Sequence, residues 1–186
     1  MTITPTPLQG CIIITPRVFN DDRGYFFESF SAKNFNNAVG YEVNFVQDNQ
    51  SFSTKGVCRG LHFQKGEHAQ SKLVRVTEGE VLDVAVDVRK GSPTFGQHVT
   101  VRLSAQNHQQ FFIPKGFAHG FVVLSDTAVF QYKCDNYYNK ASEGGLLYSD
   151  PALNIDWGLP AAELLVSEKD LELPLLKDAG DMGFTL

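Results

Sequence analysis

Apolar and polar residues alternate along much of the chain, and this pattern predicts β-strands. The clearest case is the segment 82–89, in which leucine and valine alternate with aspartate, alanine and arginine. Alternation with a period of two places the apolar side chains on one face, so a half-buried strand is predicted there. The segments 99–103 and 117–123 show the same period. Further strands are predicted at 11–15, 25–31, 43–53, 57–64, 72–77, 109–113 and 127–135.

Turn sequences separate these segments, at 78–79, 91–93 and 114–116. Short strands that recur about every 8–12 residues are typical of a β-sandwich or barrel. Helix is predicted only at 31–39 and within 161–180, where Pro174 interrupts the pattern. Because no internal repeat or linker is visible, we expect one domain over residues 1–186.

Composition supports a globular protein and limits its partners. The chain has 186 residues, of which 42% are hydrophobic, and a net charge of −5. A nucleic-acid or anionic-membrane binder needs a large basic face, so neither is expected as a partner. No apolar stretch approaches the roughly 18 residues that span a bilayer, and no basic residue precedes the short apolar run at 12–14. We therefore expect a soluble, cytoplasmic protein.

Three cysteines lie far apart, so they predict neither a disulfide framework nor a CxxC metal or redox pair. A more informative segment is 59–64, where Arg59 and His62 lie in a predicted strand. Strict alternation would place them on opposite faces, unless Gly60 marks a β-bulge that turns one of them. The alternative is a histidine that lines the core and an arginine on the surface.

Two aromatic side chains on inward strand faces have a chemical and a structural interpretation. His119 shares its predicted face with three apolar residues, and a histidine there is often simply a hydrogen-bonded core residue. Tyr132 shares its face with Phe130. A buried phenol can pack as a core residue or deliver a proton where water is excluded.

The His62 segment followed by the PxGxxH pattern that ends at His119 resembles the two-part signature of the cupins, which are double-stranded β-helix jelly rolls. Metal-binding cupins have a second histidine and a glutamate where this chain has Gln64 and Lys72. An ammonium group has no lone pair and repels a divalent cation, so no metal is expected. A pocket with an imidazole and an ammonium suits proton transfer, with the ammonium stabilising an oxyanion.

Motifs spread over nearly the whole chain resemble the dTDP-4-dehydrorhamnose 3,5-epimerase family. They are DRGYFFE at 22–28, QDN at 47–49, RGLH at 59–62, KLVR at 72–75, PKGFAHGF at 114–121, YKC at 132–134, DP at 150–151 and SEKD at 167–170. Each motif is moderately specific, but their order and spacing together are strongly specific. The segment 157–160 departs from the family pattern and affects only a loop.

The resemblance implies a mainly β, cupin jelly-roll fold and cofactor-free epimerisation. The substrate would be dTDP-4-dehydro-6-deoxy-D-glucose, inverted at C3 and C5 to dTDP-4-dehydro-L-rhamnose. By similarity His62 is the base, Lys72 stabilises the enolate oxygen, Tyr132 is the acid and Asp170 is the partner of the base. From the residues alone, the Ser167-x-x-Asp170 pattern also predicts an ordinary helix cap.

Further matched residues are expected to bind the nucleotide sugar, although each could also be a solvated surface residue. They are Arg23, Glu28, Gln47, Asp48, Asn49, Arg59, Lys72, His119, Glu143 and Lys169. Arginine binds phosphate oxygens in a bidentate manner, which would let an acidic protein hold a diphosphate. The resemblance also implies a homodimer in which Arg23 and Glu28 reach the neighbouring subunit's site.

Other functions stay open from the sequence. A related enzyme could invert C3 or C5 alone or shift the keto group of a similar nucleotide sugar, and motifs separate these reactions poorly. A metal-dependent cupin oxygenase is disfavoured by Gln64 and Lys72. A non-catalytic module that binds sugars would not need the combination of His62, Lys72 and Tyr132.

Overall fold

Strands provide nearly all of the regular structure in the computed structural model, which describes residues 1–186. The strands are β1 (Thr2–Pro5), β2 (Ile12–Thr15), β3 (Phe19–Asp21), β4 (Gly24–Phe26), β5 (Gln47–Thr54), β6 (Val57–Gln64), β7 (Lys72–Glu78), β8 (Glu80–Asp87), β9 (His98–Ser104), β10 (Gln110–Ile113), β11 (Phe117–Val123), β12 (Thr127–Cys134), β13 (Glu143–Gly145) and β14 (Leu165–Val166). The helices are α1 (Ala32–Val39) and α2 (Glu168–Leu171). The mainly β class is therefore confirmed. No helix is both long enough and sufficiently apolar to cross a membrane.

Two antiparallel sheets face each other. The first sheet has the order β1-β2-β10-β7-β12-β5, and the second has the order β13-β6-β11-β8-β9, with β14 added parallel to β6. From β6 to β12 the chain passes repeatedly between the two sheets. A short hairpin of β3 and β4 stands apart from both sheets.

Three apolar clusters hold these layers together. The largest fills the barrel between the sheets with inward side chains such as Val74, Ala85 and Phe111. A second packs the outer face of the second sheet against the C-terminal segment, including Trp157. A third packs α1 against the outer face of the first sheet through Phe35. Each sheet is therefore covered on part of its outer face, the first by α1 and the second by the C-terminal segment.

The short helix α1 forms where it was predicted, and its ends have identifiable caps. The Ser31 hydroxyl accepts a hydrogen bond from the Asn34 amide at the start. Gly40 ends the helix in the left-handed conformation, with φ of 84°, which glycine adopts without a steric penalty. This helix covers the first sheet on the side away from the cleft.

The prediction for segment 82–89 is wrong in one respect, because β8 is buried on both faces. Its aspartates, Asp83 and Asp87, are completely inaccessible to solvent. The strand lies between β11 and β9, with the C-terminal segment on one face and the barrel interior on the other. Asp87 is paired with Arg89, and Asp83 lies beside His119, so the polar face points inward rather than to water.

Two strand boundaries also differ from the predictions. The segment 25–31 is in a strand only to Phe26, and β5 begins at Gln47 rather than at position 43. The residues after Phe26 lead into the Ser31 cap, and Phe30 packs against Phe35 of α1 and against Phe45 instead of lying in a sheet. The other predicted strands are found within a few residues of their expected bounds.

Candidate active site

A β-bulge in β6 turns Arg59 and His62 to the same side. His62 is opposite His119 on β11 and Arg59 is opposite Phe121, so Gly60 and Leu61 together face a single residue of β11. Gly60 has φ of 114°, and a Cβ there would lie 2.6 Å from the His119 carbonyl oxygen. Only glycine fits this backbone position. The bulge predicted from Gly60 is confirmed, and both side chains line one cleft.

This cleft has a volume of about 550 Å³ and opens between the two sheets. An adjoining pocket of about 340 Å³ shares Asn49, His62, Lys72 and Tyr132 with it, so the two form one elongated cleft. Residues predicted for the site that line it are Gln47, Asn49, Arg59, His62, Lys72, His119, Tyr132, Glu143, Lys169 and Asp170. The shape suits a long ligand with chemically different ends.

His62 and Asp170 form a close pair at the rim. His62 Nε2 lies 2.7 Å from Asp170 Oδ1, while Asp170 Oδ2 accepts a hydrogen bond of 3.1 Å from the Gly60 amide. Burial raises the pKa of Asp170, but the hydrogen bonds from His62 and Gly60 outweigh it, so the pKa lies below its usual value. The His62 side chain is 32% exposed, which leaves the ring accessible from the cleft.

The cap interpretation of the Ser167-x-x-Asp170 pattern is also correct. The Ser167 hydroxyl accepts a hydrogen bond of 3.2 Å from the Asp170 amide and starts α2. This cap uses the backbone of Asp170 and leaves its carboxylate free to bind His62. The two hypotheses are therefore compatible, because each concerns a different part of the same residue.

Lys72 and Tyr132 come from neighbouring strands of the first sheet, whereas His62 comes from the second sheet. Lys72 Nζ lies 5.9 Å from the centre of the Tyr132 ring. Burial raises the pKa of Tyr132, so its phenol keeps its proton at neutral pH. Burial lowers the pKa of Lys72. The site thus has an imidazole on one wall and a phenol and an ammonium group on the other.

His119 is buried at the floor of the cleft, where it pairs with Asp83. His119 Nε2 lies 3.0 Å from Asp83 Oδ2, and the His119 ring packs against Phe130. Asp83 is not among the residues predicted for the site, because its alternation with apolar residues predicts a side chain that faces solvent. The segment itself holds no signal for this position, because only the fold shows that Val81, Asp83 and Ala85 face the barrel interior.

The cleft also contains cations and amides suited to a polar ligand. The Arg59 guanidinium donates hydrogen bonds only to the Ser53 hydroxyl, 3.3 Å from both Nε and Nη2, and has no carboxylate partner. Lys169 is bound to Glu143 at 2.7 Å. At the other end, Gln47 donates a hydrogen bond of 2.9 Å to Asn49. Arg59 is therefore free to bind an anion.

Comparison with known proteins shows the family of the chain. The sequence model of the family described as dTDP-4-dehydrorhamnose 3,5-epimerase matches residues 5–178. The chain belongs to this family. The dTDP-4-dehydrorhamnose 3,5-epimerase of Salmonella typhimurium is 54% identical over 180 residues, which cover 96% of this chain and 97% of that protein.

Solved structures extend the similarity to the fold. The dTDP-4-dehydrorhamnose 3,5-epimerase of Elizabethkingia anophelis has a TM-score of 0.94 and 55% identity, covering 97% of this chain and 99% of that one. The dTDP-6-deoxy-D-glucose-3,5-epimerase of Legionella pneumophila, in complex with dTDP-4-keto-L-rhamnose, has a TM-score of 0.91 and 52% identity, covering 95% and 93%. These matches confirm the family resemblance and the predicted cupin jelly roll.

Three residues predicted to bind substrate lie away from the cleft of this epimerase-family chain. Arg23 is at the tip of the β3–β4 hairpin, where its side chain is 89% exposed and paired with Asp21. Glu28 accepts a hydrogen bond from Asn34 beside α1. Asp48 forms a surface ion pair with Lys133. Within one chain, none of the three reaches His62.

The donor set of the cleft differs from that of a metal centre. No group of three or more histidine, cysteine, aspartate or glutamate side chains is arranged to hold a metal ion. Gln64 is buried and accepts a hydrogen bond from the Asn139 amide, and Lys72 is a cation. In this member of the epimerase family, position 64 therefore holds a side chain that is already hydrogen-bonded, and position 72 holds a cation, which repels a metal ion.

Proposed function

We propose that the chain epimerises dTDP-4-dehydro-6-deoxy-D-glucose at C3 and C5 without a cofactor and so forms dTDP-4-dehydro-L-rhamnose. The observation that carries the proposal is the position of His62 and Tyr132 on facing sheets of one cleft, with Lys72 beside Tyr132. Membership of the epimerase family supports it. The Legionella pneumophila relative was solved in complex with dTDP-4-keto-L-rhamnose.

The first step is proton removal by His62. Because Nε2 is bound to Asp170, the neutral imidazole carries its proton there and its Nδ1 lone pair is the base. C3 and C5 both flank the C4 ketone, so loss of either proton gives an enolate with its charge on the C4 oxygen. The Lys72 ammonium stabilises that oxygen, and one such preorganised donor is typically worth about 3–4 kcal/mol.

The second step returns a proton to the opposite face of the sugar from Tyr132. Its raised pKa keeps the phenol protonated until the enolate forms. Inversion requires the acid and the base to lie on different sides of the ring, which facing sheets provide. His62 then holds the abstracted proton and Tyr132 is a phenolate, and exchange with water restores both groups for the next centre.

The remaining cleft residues bind the nucleotide in this proposal. Arg59 has no carboxylate partner and binds the diphosphate, together with Lys169. Gln47, Asn49 and Glu143 bind the base and sugar, and His119 contacts the hexose from the floor of the cleft. A role for Asp48 in substrate binding stays a prediction.

The proposal includes a cytoplasmic homodimer with shared sites. The β3–β4 hairpin exposes Phe19, Tyr25 and Phe26 by 51%, 61% and 70%, an apolar surface that a second subunit would cover. This hairpin brings Arg23 to the neighbouring site, and the segment after the hairpin brings Glu28 there.

Mixed dimers test site sharing. An Arg23→Ala chain refolded with a His62→Ala chain should recover about a quarter of the activity, since half of the dimers are mixed and each mixed dimer contains one intact site out of two. Recovery of no activity would contradict site sharing.

Proton NMR in heavy water tests the reaction itself. We expect deuterium to enter C3 and C5 of dTDP-4-dehydro-6-deoxy-D-glucose, with the L-configured product formed. Exchange at a single carbon would show a single-centre epimerase. Absence of exchange at both carbons would favour a binding module and contradict the proposed function.

Elemental analysis tests the absence of a metal. Gln64 and Lys72 occupy two of the four positions that supply ligands in metal cupins, so no stoichiometric zinc, iron or manganese is expected. Activity that is lost to a chelator and restored by one of these metals would instead favour the oxygenase alternative.

A further inference from the structure

Asp83 has one carboxylate oxygen without a partner in the interior of the barrel. Its side chain is completely buried, and Oδ2 lies 3.0 Å from His119 Nε2. The other oxygen, Oδ1, has no hydrogen-bond partner. Buried carboxylate oxygens are nearly always paired, because an unpaired buried charge is strongly destabilising. The position of Oδ1 therefore needs an explanation.

Lys72 is the neighbouring group that lacks a counter-charge. Lys72 on β7 and Asp83 on β8 both point into the barrel, from facing sheets. No carboxylate lies within 4.0 Å of the Lys72 ammonium. Glu143 is already bound to Lys169, whereas Oδ1 of Asp83 has no partner. Asp83 is thus the counter-charge available inside the barrel.

We propose that Asp83 is a positioning residue, whose Oδ2 holds His119 in the Nε2–H tautomer and whose free Oδ1 supplies the negative charge that keeps Lys72 protonated. This inference rests on the proposed function, in which the Lys72 ammonium stabilises the enolate oxygen. A lysine that had lost its proton could not do so. Asp83 therefore acts through its two neighbours and does not touch the substrate.

The charges that surround the two neighbours support this role. Burial lowers the pKa of Lys72, and the carboxylates of Asp83 on β8 and Glu143 on β13 oppose that change. Cys134 on β12 also faces Lys72, but burial raises the pKa of its thiol to about 11, so it is uncharged at neutral pH. His119 is faced by Asp83, Lys72 and His62, and burial lowers its pKa. Burial raises the pKa of Asp83, while His119 and Lys72 oppose that change. The buried carboxylate and ammonium thus stabilise each other's charged forms.

A titration of Lys72 in the resting protein tests the inference independently of catalysis. The chain is labelled with ¹³C at lysine Cε, and the Lys72 signal is assigned by its loss in Lys72→Arg. In Asp83→Asn, which keeps the side-chain shape but removes the charge, this signal should titrate about one pH unit lower than in the unmodified chain. An unchanged titration would overturn the inference whether or not the proposed reaction is correct.

The pH dependence of turnover gives a second readout. In Asp83→Asn the alkaline limb of kcat should move to lower pH by about one unit, with KM changed by less than about twofold. A fall in kcat that is equal at every pH would indicate only a structural role. If the unmodified chain shows no epimerase activity, the proposed function fails while the Lys72 titration still decides the inference.

Asp87→Asn is the matched control. Asp87 is equally buried on the same strand, but its carboxylate binds Arg89, Ser92 and Thr94 at the other end of the barrel. This variant should leave the Lys72 titration unchanged.

If Asp83→Asn does not fold, ¹⁵N histidine spectra of the unmodified chain still test the proposal, with His119 assigned from His119→Gln. A His119 that carries its proton on Nδ1 would contradict it.

Discussion

Two histidine–carboxylate pairs lie in the same cleft, and they differ in burial. At the rim, His62 is 32% exposed and its partner Asp170 is held by the Gly60 amide as well. At the floor, His119 is 7% exposed and Asp83 is not exposed at all. The imidazole of the rim pair can therefore reach a ligand and exchange its proton. The imidazole of the floor pair cannot exchange its proton freely with water.

The surrounding backbone explains the difference. The rim pair joins a bulge in β6 to the four-residue helix α2, both at the mouth of the barrel. The floor pair joins two regular neighbouring strands, β8 and β11, in the middle of a sheet. The comparison indicates that the irregular backbone presents an accessible imidazole, whereas the regular strands hold a buried one.

Removal of the rim imidazole should have the largest effect. We expect His62→Ala to lower kcat by about 10³- to 10⁴-fold, because general-base catalysis is lost. Deuterium uptake at C3 and C5 should disappear together with product, as measured by NMR in heavy water. His98→Ala, a histidine on β9 outside the cleft, is the control and should keep its activity. Substantial exchange in His62→Ala would show that another group is the base.

Lys72 lines the same cleft as His62 and His119, and the proposed function assigns its ammonium group to the enolate oxygen. Lys72→Gln should lower kcat by about 10²- to 10³-fold, since it removes the charge that stabilises the oxyanion. Both exchange and inversion should fall by the same factor, because each requires the enolate. A variant that loses inversion but keeps exchange would place Lys72 in the second step instead.

Loss of the rim carboxylate should have a smaller effect. Asp170→Asn keeps the shape but weakens the orientation of His62, so a fall in kcat of about 100-fold is expected with little change in KM. Because the pKa of Asp170 lies below its usual value, its charge is present throughout the neutral range, and the loss should not depend on pH there. Glu168→Gln, on the exposed side of α2, is the matched control. Equal activity of the two variants would contradict the role of the pair.

Asp87 is a third buried carboxylate, but it has no part in the proposed reaction. Its substitution should therefore affect stability alone. Hydrogen bonds from Arg89, Ser92 and Thr94 outweigh burial and lower the pKa of Asp87 to about 2. Because this pKa is below that of the unfolded chain, the stabilisation is present above about pH 4 and is lost as the pH falls towards about 2. Asp87→Asn should lower the free energy of unfolding at neutral pH by about 2 kcal/mol. Its free energy of unfolding should also fall less steeply than that of the unmodified chain as the pH is lowered, as measured by denaturation at a series of pH values. A pH dependence like that of the unmodified chain would refute this assignment.

Much of the fold could be predicted because strand periodicity is a local property of the sequence. The segments 57–64, 117–123 and 127–135 are found as strands, and Gly60 indicated the bulge that brings Arg59 and His62 together. Burial of both faces of β8 could not be predicted, because it depends on the distant C-terminal segment that covers the sheet.

The candidate site was predictable to a different extent at its rim and at its floor. The family motifs carried His62, Tyr132 and Asp170, which the structure brings into one cleft. Asp83 was missed because alternation shows which residues share a face but not whether that face meets water. Arg23 shares a motif with Glu28, but a motif does not fix distances in space, and within one chain Arg23 lies on an exposed hairpin away from the cleft.

The central claim is that the acid and the base act from facing sheets. It is tested most directly by measuring deuterium exchange and inversion in the same NMR sample of Tyr132→Phe. The variant keeps the ring and its packing but removes the proton that must return from the far side. His62 should still form the enolate and reprotonate it from the original face. We therefore predict continued deuterium uptake at C3 or C5, while inversion falls far more steeply. Inversion of both centres near the unmodified rate would contradict the account and remove Tyr132 from the mechanism.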